Sequence, residues 1–114
     1  MKKIEIITAD EKLYKINELL RKHNVGGLTV YDIKGRGRAK LEPVTVGRGV
    51  SRTTPEFGNR TKIEVVVSDT IYKDIIKDIL ETTSTGSASD GKIWVIDVLE
   101  SYDIGTKQTG EDAL

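Results

Sequence analysis

Two glycine-containing stretches carry the residues best suited to binding an anion. The first runs from Lys34 to Arg38 and alternates glycine with basic residues. Glycine lets the backbone approach a ligand closely, and successive amides form an anion-binding concavity to which arginine adds charge-assisted hydrogen bonds. The second, from Thr85 to Lys92, combines hydroxyls, a glycine turn and a lysine. Neither matches the P-loop pattern, and a solvated polar turn explains each stretch at least as well.

The first stretch opens a segment, Lys34 to Lys62, that is far too long for an ordinary turn. It contains both prolines of the chain, and from Gly35 to Arg60 it has six basic residues against two acidic ones. A connection longer than about 15 residues without structure of its own is usually functional or disordered. We therefore expect this loop to contact a partner.

Groups that could catalyse a reaction or bind a metal are scarce. The chain has no cysteine and a single histidine, which excludes thiolate chemistry and a histidine cluster for zinc. That histidine, His23, lies near a predicted helix end, where a charge interacting with the helix dipole explains it better than a general base. Asp90 lies in a loop, and a turn-forming role explains it at least as well as ligand binding. We predict no catalytic residue, no metal site and no enzymatic activity.

The net charge of the chain indicates neither nucleic acid nor membrane as a partner. Its 18 basic residues balance its 18 acidic ones, and Phe57 is the one aromatic residue of the long loop, which argues against base stacking. No apolar run is long enough for a signal peptide or a membrane span. We expect a cytoplasmic protein without nucleic-acid binding or membrane insertion.

Hydrophobic periodicity places these loops between four strands and two helices. Apolar and polar residues alternate over 3–8, 28–33 and 61–67, and a largely apolar, β-branched run covers 92–99, so all four predict strands. Thr8 and Glu11 have the spacing of a capping box before the first helix, and Ser68 fits the N-cap of the second. Helical spacing predicts the buried residues Leu13, Ile16, Leu19 and Leu20 in the first helix, and Ile71, Ile75, Ile76, Ile79 and Leu80 in the second.

The order strand, helix, strand, strand, helix, strand predicts an α+β fold. It packs most simply as a four-stranded antiparallel sheet with both helices on one face, the ferredoxin-like βαββαβ sandwich. Trp94 is expected in the core. We predict a single domain, residues 1–114, whose tail from about 100 to 114 is an edge element or a mobile end. Self-association would bury the bare face of the sheet.

Taken together, several motifs resemble the PII (P-II) signal-transduction proteins of the GlnB/GlnK type. They run in order along the chain: MKKIE at the start, Gly27–Val30, Lys34–Arg38, Arg48-Gly49, Lys62–Val67, Thr85-Gly86, Asp90–Ile93 and Thr109–Glu111. The resemblance implies a ferredoxin-like protomer, a homotrimer, and ATP or ADP in the clefts between subunits. It also implies a T-loop, about 35–60, that docks onto a transporter or an enzyme of nitrogen metabolism.

Residue by residue, the resemblance implies a nucleotide site and an effector site. The positions that match the nucleotide cleft are Ile7, Thr29, Gly35, Gly37, Arg38 and Val66. Its phosphate-binding loop, about 82–92, matches at Asp90, Gly91 and Lys92, with Lys92 as the main cation. Arg60 stands where the family has a lysine that pairs with 2-oxoglutarate, and Lys40 matches a T-loop lysine, so both are candidates for effector or anion binding.

Departures from the family pattern change the expected ligands. Ala39 replaces a glutamine that helps to hold magnesium and 2-oxoglutarate; alanine has no ligand atom, so we expect no classical 2-oxoglutarate response and leave magnesium open. Asp103 and Gly105 align with two arginines that contact the phosphates, which keeps AMP a candidate beside ATP and ADP. The alternative is a PII-like sensor of another pathway, such as bicarbonate or other transport, with a different effector.

Overall fold

The structure, a computed structural model, describes residues 1–38, 44–46 and 51–114. These residues form the strands β1 (Lys2–Thr8), β2 (Thr29–Gly35), β3 (Val44–Val46), β4 (Ser51–Thr53), β5 (Gly58–Val67) and β6 (Gly91–Asp97). The helices are α1 (Leu13–Lys22) and α2 (Tyr72–Thr83), and short 3-10 turns span Asp10–Lys12 and Gly110–Ala113. The main sheet is antiparallel in the order β2-β5-β1-β6, as the ferredoxin-like prediction requires.

The core lies between the sheet and the two helices. Along β5 every second residue from Thr61 to Val67 is buried, because alternate side chains of a strand point to the same face. The buried apolar residues are Ile4, Ile6, Ile16, Leu19, Leu20, Ile63, Val65, Val67, Ile75 and Ile79. Since both helices cover one face, the other face of the sheet stays open in a single protomer.

The long segment between the second and third predicted strands has a more extended stem than expected. Strand β2 continues to Gly35, and β5 begins at Gly58, so these two glycines form the last pair of the ladder. Inside the segment, β3 and β4 pair with each other in a separate two-stranded sheet. The sequence prediction missed these strands because they are three residues long and lie between glycines.

Neither predicted helix cap is present. Thr8 is buried, and its hydroxyl donates to the carbonyl oxygen of Asp90 at 2.8 Å instead of capping α1, which follows a 3-10 turn. Helix α2 begins later than the Ser68 prediction requires, and its N-cap position, Ile71, makes no side-chain cap. In both cases the hydroxyl has a tertiary or local partner that the local pattern does not reveal.

Two predicted core residues are exposed in the protomer. Trp94 is 40% exposed on the open face, where its indole N–H donates to Glu5. Leu80 is 53% exposed, whereas the preceding Ile79 is buried, because consecutive residues of a helix lie about 100° apart and Leu80 is at the edge of the buried stripe of α2.

The tail folds into a turn followed by a 3-10 turn. Tyr102 and Thr109 form an isolated antiparallel bridge, and the Gly110 amide donates to the Ser101 carbonyl at 2.8 Å. The tail therefore adds no strand to the main sheet. Within the described ranges, no helix is both long and apolar enough to cross a bilayer.

Candidate functional site

Asp90 organises the loop that leads from α2 into β6. Its carboxylate accepts hydrogen bonds from the Thr85 amide at 2.7 Å and from the Thr85 hydroxyl at 2.5 Å. The Lys12 ammonium lies 3.4 Å from the same carboxylate. The Thr85 hydroxyl, then the Thr85 amide, and more weakly Lys12 lower the pKa of Asp90 from 3.8 to about 2. The carboxylate is therefore charged and engaged within its own loop at neutral pH.

Lys12 is a site residue that the sequence analysis missed. Its ammonium donates to the Thr83 carbonyl at 2.8 Å, in addition to its contact with Asp90. It thus joins the 3-10 turn after β1 to both the end of α2 and the loop before β6. The sequence offered no signal for this, because a lysine on a polar helix face is normally solvated.

Gly91 allows β6 to pass close to β1. Its φ is +118°, and a Cβ at this position would lie 1.9 Å from the Ile7 carbonyl oxygen. Any other residue would therefore clash with the backbone. At this point a cavity of about 330 Å³ is bordered by Ile7, Asp90, Gly91 and Lys92. These are four of the predicted nucleotide-site residues, and the fold brings them together.

A second cavity lies at the opposite end of the sheet. It has a volume of about 490 Å³, and its walls include Gly27, Thr29 and Val66. Thr29 pairs with Glu64 at the beginning of β2, whereas Gly35 pairs with Gly58 at its end. The six-residue step along β2 is about 20 Å at roughly 3.3 Å per residue.

Six of the nine predicted nucleotide residues therefore form two groups. Thr29 and Val66 border the second cavity, which lies at the beginning of β2 and which we call the β2-end cavity. Ile7 and Asp90–Lys92 border the first, which we call the β6-loop cavity. Gly35 ends β2, Gly37 and Arg38 follow it, and these three residues border neither cavity. The two cavities share no lining residue in the protomer. Lys40 lies outside the described residues.

Arg60 connects the stem of the long loop to the loop before β6. Its guanidinium donates to the Ser89 carbonyl oxygen at 2.7 Å. Arg60 belongs to β5 and pairs with Ile33 of β2. A carbonyl acceptor leaves the positive charge of the guanidinium uncompensated, so Arg60 remains suited to bind an anion while it holds the loop.

The open face of the sheet carries a charged cluster around Glu5. Glu5 is only 6% exposed, and Lys3 lies 3.0 Å from its carboxylate. The Lys3 hydrogen bond, followed by that of the Trp94 indole, lowers the pKa of Glu5. Lys62 lies between Glu5 and Glu64, at 3.7 and 3.0 Å. In the part of the chain that the structure describes, no three His, Cys, Asp or Glu side chains are grouped to hold a metal.

The comparison with protein families shows the family of this chain. The family described as Nitrogen regulatory protein P-II matches residues 1–108. The chain belongs to the P-II family. Among its P-II relatives, the nitrogen regulatory protein P-II of Cereibacter sphaeroides is 37% identical over 114 residues, which is 100% of each chain. The nitrogen regulatory protein P-II 1 of Escherichia coli is 36% identical over the same full lengths.

A solved structure agrees with the P-II fold. The complex of B. subtilis GlnK with ATP superposes with a TM-score of 0.78 at 29% identity, over 99% of this chain and 96% of that chain. The predictions of a P-II protein with a ferredoxin-like fold are thereby confirmed. P-II proteins are regulators, so the chain is a regulatory protein and not an enzyme. Its relatives are nitrogen regulatory proteins, which does not favour the alternative sensor of another pathway.

Proposed function

We propose that this P-II protein binds an adenine nucleotide, ATP or ADP, in clefts between the subunits of a homotrimer. It reports nucleotide occupancy to a transporter or an enzyme of nitrogen metabolism through the loop at about 35–60. The observation that carries the proposal is the division of the predicted site into two groups at opposite ends of one sheet. A neighbouring copy could place its own β6-loop cavity next to this β2-end group.

Both cavities are lined by polar and apolar residues together, and the family motifs that border them assign a different part of the nucleotide to each. The β6-loop cavity has the lysine and the glycine-containing loop that suit phosphates, with Lys92 as the principal cation. The β2-end cavity combines apolar side chains such as Val66 with the Thr29 hydroxyl, which suits a base. The GlnK of B. subtilis, a structural neighbour, was solved as an ATP complex, which supports ATP as the ligand here.

Asp90 has a shaping role in this proposal. Its carboxylate is occupied by Thr85 and Lys12, and its negative charge would repel phosphates if it faced them directly. It fixes the loop from which Gly91 and Lys92 enter β6. We therefore assign phosphate contact to Lys92 and to the backbone at Gly91, and loop geometry to Asp90.

Self-association follows from the open face of the sheet. Trp94 and Ile96 of β6 and Tyr31 of β2 are exposed there, next to the Glu5 cluster. Exposed apolar residues that share one face mark an interface, because a second copy would remove their apolar surface from water. A trimer around this face would place the sheet ends of neighbouring copies side by side.

The nucleotide affects the partner through the stem of the long loop. The Arg60–Ser89 bond connects the β5 stem to the loop that holds the phosphates. Because the long loop begins and ends on this stem, a change in the position of Ser89 can shift the residues from which the long loop starts. Ala39 has no ligand atom, so we expect 2-oxoglutarate to have no effect on this response.

Calorimetry with ATP, ADP and AMP tests the proposal. We expect binding of ATP and ADP, and Lys92→Ala should weaken ATP roughly 10- to 100-fold, as the loss of a charged hydrogen bond predicts. Lys77→Ala is the matched control, because it removes the same charge from the exposed side of α2. The proposal fails if none of the three nucleotides binds, or if Lys92→Ala binds ATP as the unmodified protein does.

A further inference from the structure

The C-terminal 3-10 turn borders the cavity to which the base is assigned. Ala113 and Leu114 belong to the walls of the 490 Å³ β2-end cavity, together with Gly27, Thr29 and Val66. Leu114 is 45% exposed, and part of its apolar surface therefore remains available beside the cavity. Residues from the end of the chain and from the middle of the sheet thus share one cavity.

Three hydrogen bonds determine where this turn lies. The Ser68 hydroxyl, just after β5, donates to the Glu111 carboxylate at 2.8 Å. The Gly110 amide donates to the Ser101 carbonyl at 2.8 Å, and the Leu114 amide donates to the Glu111 carbonyl at 3.1 Å. Glu111 is therefore the residue through which the end of β5 positions Leu114.

The chemistry of this wall fits a flat, largely apolar ring. Leu28, Val66 and Ile71 line the cavity, and Leu114 adds a branched aliphatic side chain on the C-terminal side. A purine that entered between them would bury apolar surface of Leu114, and burial of such surface is favourable in proportion to its area. A phosphate gains nothing from this contact.

We propose that Leu114 packs against the purine base, and that the Ser68–Glu111 hydrogen bond positions it. This inference rests on the proposed nucleotide function and adds to it a wall formed by the C-terminal turn. It predicts that nucleotide affinity depends on a residue far in sequence from every predicted site residue.

The test compares Leu114→Ala and Glu111→Ala with the control Asp112→Ala, which changes an exposed residue of the same turn. ATP affinity is measured by calorimetry, and unfolding temperature with and without ATP. Leu114→Ala should weaken ATP roughly 5- to 20-fold, in line with the partial loss of a leucine contact. Glu111→Ala should weaken ATP binding about 3-fold, because the Leu114 side chain is still present but the hydrogen bond that positions it is lost. Asp112→Ala should bind as the unmodified protein does.

A merely structural role would give a different pattern. It would lower the unfolding temperature without nucleotide, whereas we expect that temperature to stay the same and its increase on adding ATP to shrink. ATP affinity that is unchanged in both Leu114→Ala and Glu111→Ala overturns the inference while the proposed function stands. Absence of ATP binding in the unmodified protein overturns the proposed function itself.

Discussion

At the scale of single residues, the loop before β6 is held by contacts that leave little freedom. Gly91 cannot carry a side chain, because the Ile7 carbonyl occupies its position. Asp90 is fixed at two groups: its carbonyl oxygen accepts from Thr8, and its carboxylate contacts Thr85 and Lys12. A rigid loop presents Lys92 in one geometry, and such preorganisation lowers the entropic cost of binding a ligand.

The lowered pKa of Asp90 predicts a defined pH dependence. Because its pKa is lower in the folded protein than the ordinary 3.8, the ionised carboxylate stabilises the fold. This contribution is complete above about pH 4 and disappears as the pH falls toward about 2. Urea unfolding of the unmodified protein and of Asp90→Asn should differ by a constant free energy above about pH 4, and this difference should shrink below it.

A carboxylate elsewhere provides the control for this pH effect. Asp74→Asn changes an exposed residue of α2, away from the loop, and should leave stability nearly unchanged at neutral pH. A difference between the unmodified protein and Asp90→Asn that is equally large at about pH 3 and about pH 7 would contradict the assigned role of Asp90.

At the scale of elements, periodicity predicted the framework and missed the tertiary contacts. Alternation along β5 was enough, because from Thr61 to Val67 the residues of one face are buried and those of the other are not. The capping prediction at Thr8 failed because its hydroxyl bonds to the loop before β6, 82 residues away. Trp94 was misplaced because an aromatic residue on an open face has the same spacing as one in the core.

For the candidate site too, sequence motifs predicted some residues and missed those whose role depends on tertiary contacts. The resemblance to the family indicated Gly91 and Lys92, because they lie in the contiguous motif Asp90–Ile93. Lys12 and Glu111 were not predicted, because each acts through one contact with a residue distant in the chain. The grouping of Thr29 apart from Lys92 required the strand register, which no local pattern supplies.

The Arg60–Ser89 bond predicts how the stem of the long loop responds to nucleotide. Trypsin can cleave the loop after Lys40, Arg48 or Arg52. We expect saturating ATP to change the rate of this cleavage at least about fivefold, in either direction, which is the lower end of the usual range for coupling between two sites. In Arg60→Gln this ratio should fall to less than about twofold, with ATP still bound. Mass spectrometry of the fragments identifies which bond is cut.

Lys12→Gln is the control for this coupling. It loosens the loop before β6 from the 3-10 turn and α2, and leaves the β5 stem unchanged. At saturating ATP it should retain the effect of nucleotide on cleavage. If Arg60→Gln keeps the full effect, or if Lys12→Gln loses it as completely, the bond does not carry the coupling.

At the scale of the whole molecule, the proposed function divides the nucleotide site into two halves that neighbouring protomers would combine. The β2-end cavity and the β6-loop cavity lie at opposite ends of the sheet, and the open face between them carries exposed Trp94 and the nearly buried Glu5. Assembly through this face would complete the sites and cover the face together. Oligomerisation and nucleotide binding are then two consequences of one surface.

Mixed oligomers of two half-site variants test this central claim most directly. Thr29→Glu places a carboxylate in the β2-end cavity, and Lys92→Glu reverses the charge in the β6-loop cavity; each alone should abolish measurable ATP binding. When the two are unfolded and refolded together, clefts that combine an unmodified half from each protein should form, and tight ATP binding should return in a fraction of the sites. If the site lies within one protomer, the mixture will bind no more ATP than the separate variants, and this account is contradicted.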